Sequence, residues 1–288
     1  MEASKKEPLL ITDKEQMRKW SRAMRSQGKS ISLVPTMGYL HQGHISLVRE
    51  ALKLTNLTVV SIYVNPGQFA PSEDLSTYPS DFHGDISKLM SVPGGVDVVF
   101  HPPNLYDYEN DMKRNKNDQG VCKEFRGAGL CSLEGLLLLS LNCLTLSSLM
   151  LLSFGKKDYQ QWRIVQRMVR DLDFSIRIIG AEILRDNDGL AMSSRNVHLS
   201  AEERGKALSI SRSLLGVKSA AENGHINCRE LRDSVIQAVS EAGGRIDYAE
   251  IVDQESLQAV EEINSPVVFC IAAWFGKVRL IDNIEINL

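Results

Sequence analysis

The chain has 288 residues, with 33 Lys and Arg against 36 Asp and Glu and a formal net charge of −3. That near balance argues against a polyanion or a membrane surface as partner, and 43% hydrophobic residues over this length supply a sizeable core for one large or two modest domains. Five cysteines, Cys122, Cys131, Cys143, Cys228 and Cys270, form no Cys-x-x-Cys pair, so a reducing compartment is expected. Residues Met1 to Pro8 are charged and lack the apolar core of a signal peptide, which points to the cytosol.

In chain order, Thr12 and Glu15 have capping-box spacing and Met17, Trp20 and Met24 an apolar stripe, which predicts a surface helix before the first strand. Ile31, Leu33 and Val34 read as a buried strand, Pro35 to Gly43 as a turn, and Ile45 to Leu52 as an amphipathic helix. A helix start after a glycine-bearing turn offers free N–H groups and a positive dipole end to a phosphate. His41 and His44, close to one helical turn apart, could both face it; taken alone they read equally as a helix-capping pair. Leu57 to Val64 is a second buried strand, and Asn65-Pro66-Gly67-Gln68-Phe69 lies at its carboxyl edge, where open α/β sheets bind ligands. Asp81 to Met90 reads as a helix with Phe82, Ile86 and Leu89 on one side, and Val96 to Phe100 as the next strand, ended by His101-Pro102-Pro103. The alternation implies a parallel, doubly wound, Rossmann-like sheet.

Glu109 to Lys123 is polar and loop-like, and residues 129 to 153 are rich in leucine and serine. From Gly135 to Gly155 there is no charge, a run about as long as the ~20 residues that cross a bilayer. Ser140, Asn142, Thr145, Ser147 and Ser148 interrupt it, so a buried helix followed by a strand is the expectation, with no membrane contact. Phe154-Gly155-Lys156-Lys157-Asp158-Tyr159-Gln160-Gln161-Trp162 then repeats the strand-to-helix pattern, with Val165, Met168 and Val169 on the buried side of the helix. Ile176 to Ile183 reads as a strand and Arg185 to Gly189 as a turn, whose Asp186 and Asp188 are exposed carboxylates before they are metal ligands. In Met192-Ser193-Ser194-Arg195, two hydroxyls beside a guanidinium suit a polyphosphate or, equally, a helix cap. Division at 190/191 is expected, with a smaller α+β domain over 191–288: a helix from Ser200 with Ala207, Ile210, Leu214 and Val217 inward, another over Cys228 to Ala242, a strand over Ile246 to Val252, and a hairpin of Val267 to Ala273 with Val278 to Ile281.

The wording Pro35-Thr36-Met37-Gly38-Tyr39-Leu40-His41-Gln42-Gly43-His44 closely resembles the pantothenate synthetases, a pantoate–β-alanine ligase family of the nucleotidyltransferase superfamily. Val64 to Phe69, Glu73 to Pro79, Gly155 to Gln161 and Met192 to Arg195 match the same family, the last resembling its second ATP signature. The resemblance implies an ATP-dependent ligase acting through pantoyl adenylate, with ATP on Met37, Gly38, Tyr39, Leu40, His41, Gln42, Gly43, His44, Gly155, Lys156, Lys157, Asp158, Leu184, Met192, Ser193, Ser194 and Arg195. Gln68 and Gln161 would hold pantoate and β-alanine; His44, His41, Lys157 and Arg195 would carry the catalysis, and Mg2+ would ride on the phosphates. It also implies a homodimer and a C-terminal lid, with small-molecule partners and no nucleic acid. A dinucleotide-forming adenylyltransferase is a further reading, opposed by the two glutamines.

Between residues 109 and 153 the resemblance fails, and with it the family's Arg-Pro turn and lysine- and asparagine-bearing helix. Codons for the family's Pro-Asp-Val-Ala-Leu, such as CCT-GAT-GTT-GCT-CTC, read one nucleotide late give Leu149-Met150-Leu151-Leu152-Ser153. A local frame or splicing error is therefore expected, and with it the alternative of an impaired nucleotide-binding member.

Overall fold

The computed structural model describes residues 6–69, 74–105 and 150–288. Readings made for Glu73, for the loop over 109–123, for Cys122, Cys131 and Cys143 and for the leucine-rich run up to residue 149 lie outside the described residues. The chain divides into two compact units, one drawn from Met1–Leu40, His44–Phe154 and Val165–Ile179, the other from His41–Gly43, Gly155–Ile164 and Gly180–Leu288.

A six-stranded sheet dominates the first unit. Its strands are β1 (Leu9–Ile11), β2 (Ile31–Thr36), β3 (Leu57–Ile62), β4 (Val98–Phe100), β5 (Leu151–Gly155) and β6 (Arg177–Ala181), in the order β1-β4-β3-β2-β5-β6. β1 runs parallel to β4, β4 to β3, β3 to β2 and β2 to β5. The continuous apolar runs fit strands covered on both faces: Ile31, Leu33, Val34, Val59, Val60, Val98 and Val99 are all almost completely buried. The chain steps outward from β2 through β3 to β4 and then restarts at β5 on the other side of β2. That reversal is the switch point at which sheets of this kind bind ligands, beyond the carboxyl ends of β2 and β5. The wording Met37 to Gly43 follows β2 and the wording Lys156 to Asp158 follows β5.

The helices are α1 (Lys14–Ser26), α2 (Gln42–Leu54), α3 (Phe82–Met90) and α4 (Tyr159–Asp171). Two expectations at the N-terminus are corrected. A strand, β1, precedes α1; it spans three residues and two of its leucines are exposed, so only its pairing with β4 defines it. The cap of α1 is Asp13, one residue later than expected, and its carboxylate accepts from the Gln16 N–H at 2.8 Å.

In the second unit, α5 (Ala201–Glu222) starts at a capping box in which Ser200 and Glu203 exchange hydrogen bonds, and it is followed by α6 (Cys228–Glu241). Both pack on an antiparallel sheet of β7 (Arg245–Asp253), β8 (Val267–Phe275) and β9 (Val278–Ile286). Ala207, Ile210, Leu214 and Val217 face its core as expected, together with Phe269, Ile271 and Phe275. The hairpin strands run further than their apolar wording, because β9 continues through Asp282 and Asn283 to Ile286. Cys228 and Cys270 are free and buried; burial pushes the Cys270 thiol up to about 12, which makes it an unreactive packing residue.

Candidate active site

The first signature turn is held by contacts the sequence reading did not foresee. Gly38 and Tyr39 both adopt the left-handed region, at φ 86° and 50°. A Cβ on Gly38 would sit 3.1 Å from Ile62 and 3.2 Å from the Asp85 carboxylate, so the position favours glycine on both counts. Asp85, on α3 and 1% exposed, accepts from the Tyr39 N–H at 2.7 Å and the Leu40 N–H at 2.6 Å. Burial raises its pKa; the two N–H groups and Lys88, whose ammonium lies 3.7 Å away, oppose that. The signal missed was a carboxylate four residues before Leu89, on the very face α3 buries.

α2 begins at Gln42, so Gly43 and the half-buried His44 lie in its first turn, whose N–H groups have no partner within the helix ladder. Beyond β3, fully buried Asn65 accepts from the Gly67 N–H at 3.2 Å and donates to Gln68 Oε1 at 3.2 Å. Gln68 therefore has its oxygen engaged and its Nε2 hydrogens as the end suited to a carboxylate or hydroxyl.

In the second unit, the Gly43 N–H donates to His41 Nδ1 at 3.1 Å. A backbone N–H can only donate, so a neutral His41 carries its proton on Nε2. A Cβ on Gly43 would come within 2.8 Å of that imidazole and 3.9 Å from Met192 Cβ, which brings the glycine of the first signature beside the methionine of the second. The two adjacent lysines are distinct. Lys156 meets Glu182 at 2.6 Å and Glu285 at 2.8 Å; burial works against its charge, but these carboxylates outweigh it and hold the ammonium above its ordinary pKa. Lys157 shifts the other way: burial pushes its ammonium down, Asp158 and Asp282 oppose this, and the Arg195 and Arg279 charges add to it. Lys157 and Arg195 thus lie within electrostatic reach of each other in one unit, with Asp158 and Asp282 acting in the opposite sense.

Leu184 to Met192 is a short hairpin: Arg185 bridges Ala191, the Asp186 N–H donates to Leu190 and the Met192 N–H to the Leu184 carbonyl at 2.9 Å. Ser193 then caps the following turn, accepting from the Arg195 N–H at 3.3 Å, while Ser194 is buried. Asp186 and Asp188, the weak metal candidates, are both engaged by Arg204 at 2.7 Å. Gly155 closes β5 with open space around it among the described residues, and partly buried Gln161 lies in the first turn of α4.

Residues 41–43, 155–164 and 180–288, far apart in sequence, therefore converge in one unit. The sequence model of a family described as pantoate-beta-alanine ligase matches residues 9–285. The chain belongs to that family. A pantoate–β-alanine ligase of Lotus japonicus is 57% identical over 98% of this chain and 99% of its own, and one from Arabidopsis thaliana is 57% identical over the same shares. The Lotus alignment runs to 309 positions against a chain of 288 residues, so it opens gaps in this ligase. Among solved structures, a pantothenate synthetase from Thermus thermophilus superposes with a TM-score of 0.79 at 32% identity, covering 97% of this chain and all of that one. A pantoate-beta-alanine ligase from Francisella tularensis, solved as a complex with beta-gamma ATP and beta-alanine, gives 0.72 at 29% identity over 96% and 97% of the two chains. The ligase is thus a nucleotidyltransferase-type enzyme of pantothenate synthesis, and no described helix is long and apolar enough to cross a membrane.

Proposed function

We propose that the ligase activates pantoate with ATP, releasing pyrophosphate to leave pantoyl adenylate, and then transfers the pantoyl group to β-alanine, releasing AMP. The observation that supports this most is the grouping of His41, Gly43, Lys157, Met192 and Arg195 in one unit. In the first half-reaction a pantoate carboxylate oxygen attacks the α-phosphorus and the bond to the bridging oxygen breaks. Negative charge grows on the departing pyrophosphate, where Lys157 and Arg195 supply fixed positive charge and His41 an Nε2–H donor. His44 serves as proton donor from the helix start. Gln68, with its oxygen held by Asn65, presents its amide hydrogens to pantoate, and Gln161 holds the same substrate from α4. In the second half-reaction the free amine of β-alanine attacks the acyl carbon, the bond to AMP breaks and the amine gives up a proton. Rate comes from alignment and charge neutralisation, with no covalent protein nucleophile.

Mg2+ belongs to this reading as a companion of the nucleotide, its oxygen ligands coming largely from phosphates and water. The carboxylates nearest the second signature, Asp186 and Asp188, are taken by Arg204. A cytosolic homodimer completes the reading, to be checked by sedimentation and by fractionation. Without β-alanine, the chain should release pyrophosphate only when pantoate is present, and Gln161→Ala should need much more pantoate for the same release. Pantoate-independent release would contradict the assignment.

A second reading is an impaired, nucleotide-binding member. It is favoured by Ser153, which stands where the family wording expected here has leucine: its Oγ is buried in β5 with no hydrogen-bond partner among the described residues.

A further inference from the structure

β9 carries two buried polar residues in succession, Asp282 and Asn283, each 4% exposed. Their partners lie in the two segments that the proposed function places on ATP. Asp282 makes a two-pronged ion pair with Arg185, at 2.7 and 3.0 Å, and Arg185 also donates to the Gly189 carbonyl at 3.2 Å, closing the hairpin that leads to Met192 and Arg195. The side-chain amide of Asn283 donates to the carbonyls of Lys156 and Lys157 at 2.8 and 2.9 Å. The backbone N–H of Asn283 in turn donates to Asp282 at 2.8 Å. β9 packs against both the turn at Lys156–Asp158 and the one at Ser194–His198. Successive strand residues project to opposite faces, so one step of β9 can serve two loops.

We infer that Asp282 and Asn283 are a positioning pair that fixes the Lys156–Asp158 turn and the Leu184–Met192 hairpin at the separation one polyphosphate requires. The need is physical. Burial disfavours the Lys157 charge and Arg195 and Arg279 add to that, while Asp158 and Asp282 offset it only in part. Each sits on a short connection with little regular structure of its own. Two carbonyls tied by a single amide hold one connection to a rigid strand, and a guanidinium tied by both oxygens of a carboxylate holds the other with charge-assisted bonds. Neither residue touches ATP in this scheme. The inference rests on the nucleotide reading of the second unit.

The test uses the full chain and its variants Asn283→Ala and Asp282→Asn, with Ile271→Ala as a control that opens a cavity in the same sheet. Hydrogen exchange without nucleotide is followed over 156–161 and 185–195, and ATP binding by calorimetry. Exchange should speed up about ten-fold over 156–161 in Asn283→Ala and over 185–195 in Asp282→Asn, with ATP affinity falling about ten-fold in both and changing under about two-fold in the control. Equal effects in Ile271→Ala, or unaltered exchange and affinity in the two variants, would overturn the inference. If Asp282→Asn fails to fold, Arg185→Lys, which keeps the charge but not the two-pronged geometry, is judged by the same criteria. Absence of ATP binding by the unmodified chain overturns the nucleotide reading instead, and the exchange data still decide whether the pair fixes both segments.

Discussion

Gly43 shows how one residue sets another's chemistry. Its N–H fixes the proton of neutral His41 on Nε2, and its missing side chain leaves room for the imidazole that a Cβ would meet at 2.8 Å. Gly43→Ala should therefore slow pantoate-dependent pyrophosphate release by about 100–1,000-fold, in the range of losing one aligned donor, with little change in thermal midpoint; an unchanged rate would mean that His41 acts from another position. Lys157 gives a pH prediction. Its pKa lies below the ordinary lysine value of about 10.4 in the free chain, and bound phosphate favours the charged form. Between those two values the free lysine is largely neutral and the bound one charged, so ATP binding takes up a proton at alkaline pH. Calorimetry in buffers of different ionisation heat should show that uptake in the unmodified chain and lose it in Lys157→Met. The positions of the histidines and lysines at strand-to-helix turns were legible in the sequence because a strand, a glycine-bearing turn and a helix start announce them. The different duties of Lys156 and Lys157 were not legible, because Glu182 and Glu285 reach Lys156 only after folding.

At the scale of elements, long apolar runs such as Leu57 to Ile62 and the stripe from Ala207 to Val217 could be read directly, since period and length decide them. β1 could not, because three residues carry no period and gain their strand character from β4. Asp85 was hidden for a related reason: on α3 it looks like one more polar residue until the turn at Gly38–Leu40 brings two N–H groups onto it. β5, whose wording the sequence reading expects to depart from the family's, forms a strand, pairing Leu151 with Ser32 and Leu152 with Leu33. Apolar residues of similar bulk satisfy a buried strand whatever their order, but a buried hydroxyl needs a hydrogen-bond partner, as Ser32 has in Thr58 and Ser153 lacks among the described residues. Ser153→Ala removes the orphaned group at nearly constant volume and should raise unfolding stability by about 1 kcal/mol in urea. A lower midpoint would show that Ser153 Oγ has a partner in solution.

For the whole molecule, the family of the chain and its second unit's grouping of distant segments point to one reaction, and the frame error expected over residues 109–153 is the part of the account still to be tested. The decisive measurement is AMP and pantothenate formation by the purified chain with ATP, Mg2+, pantoate and β-alanine, beside a version with residues 128–153 restored to the family wording. Equal amounts of AMP and pantothenate, dependent on both pantoate and β-alanine and formed faster by the restored version, are the predicted result. Folded protein that forms neither product in either version would contradict the ligase account.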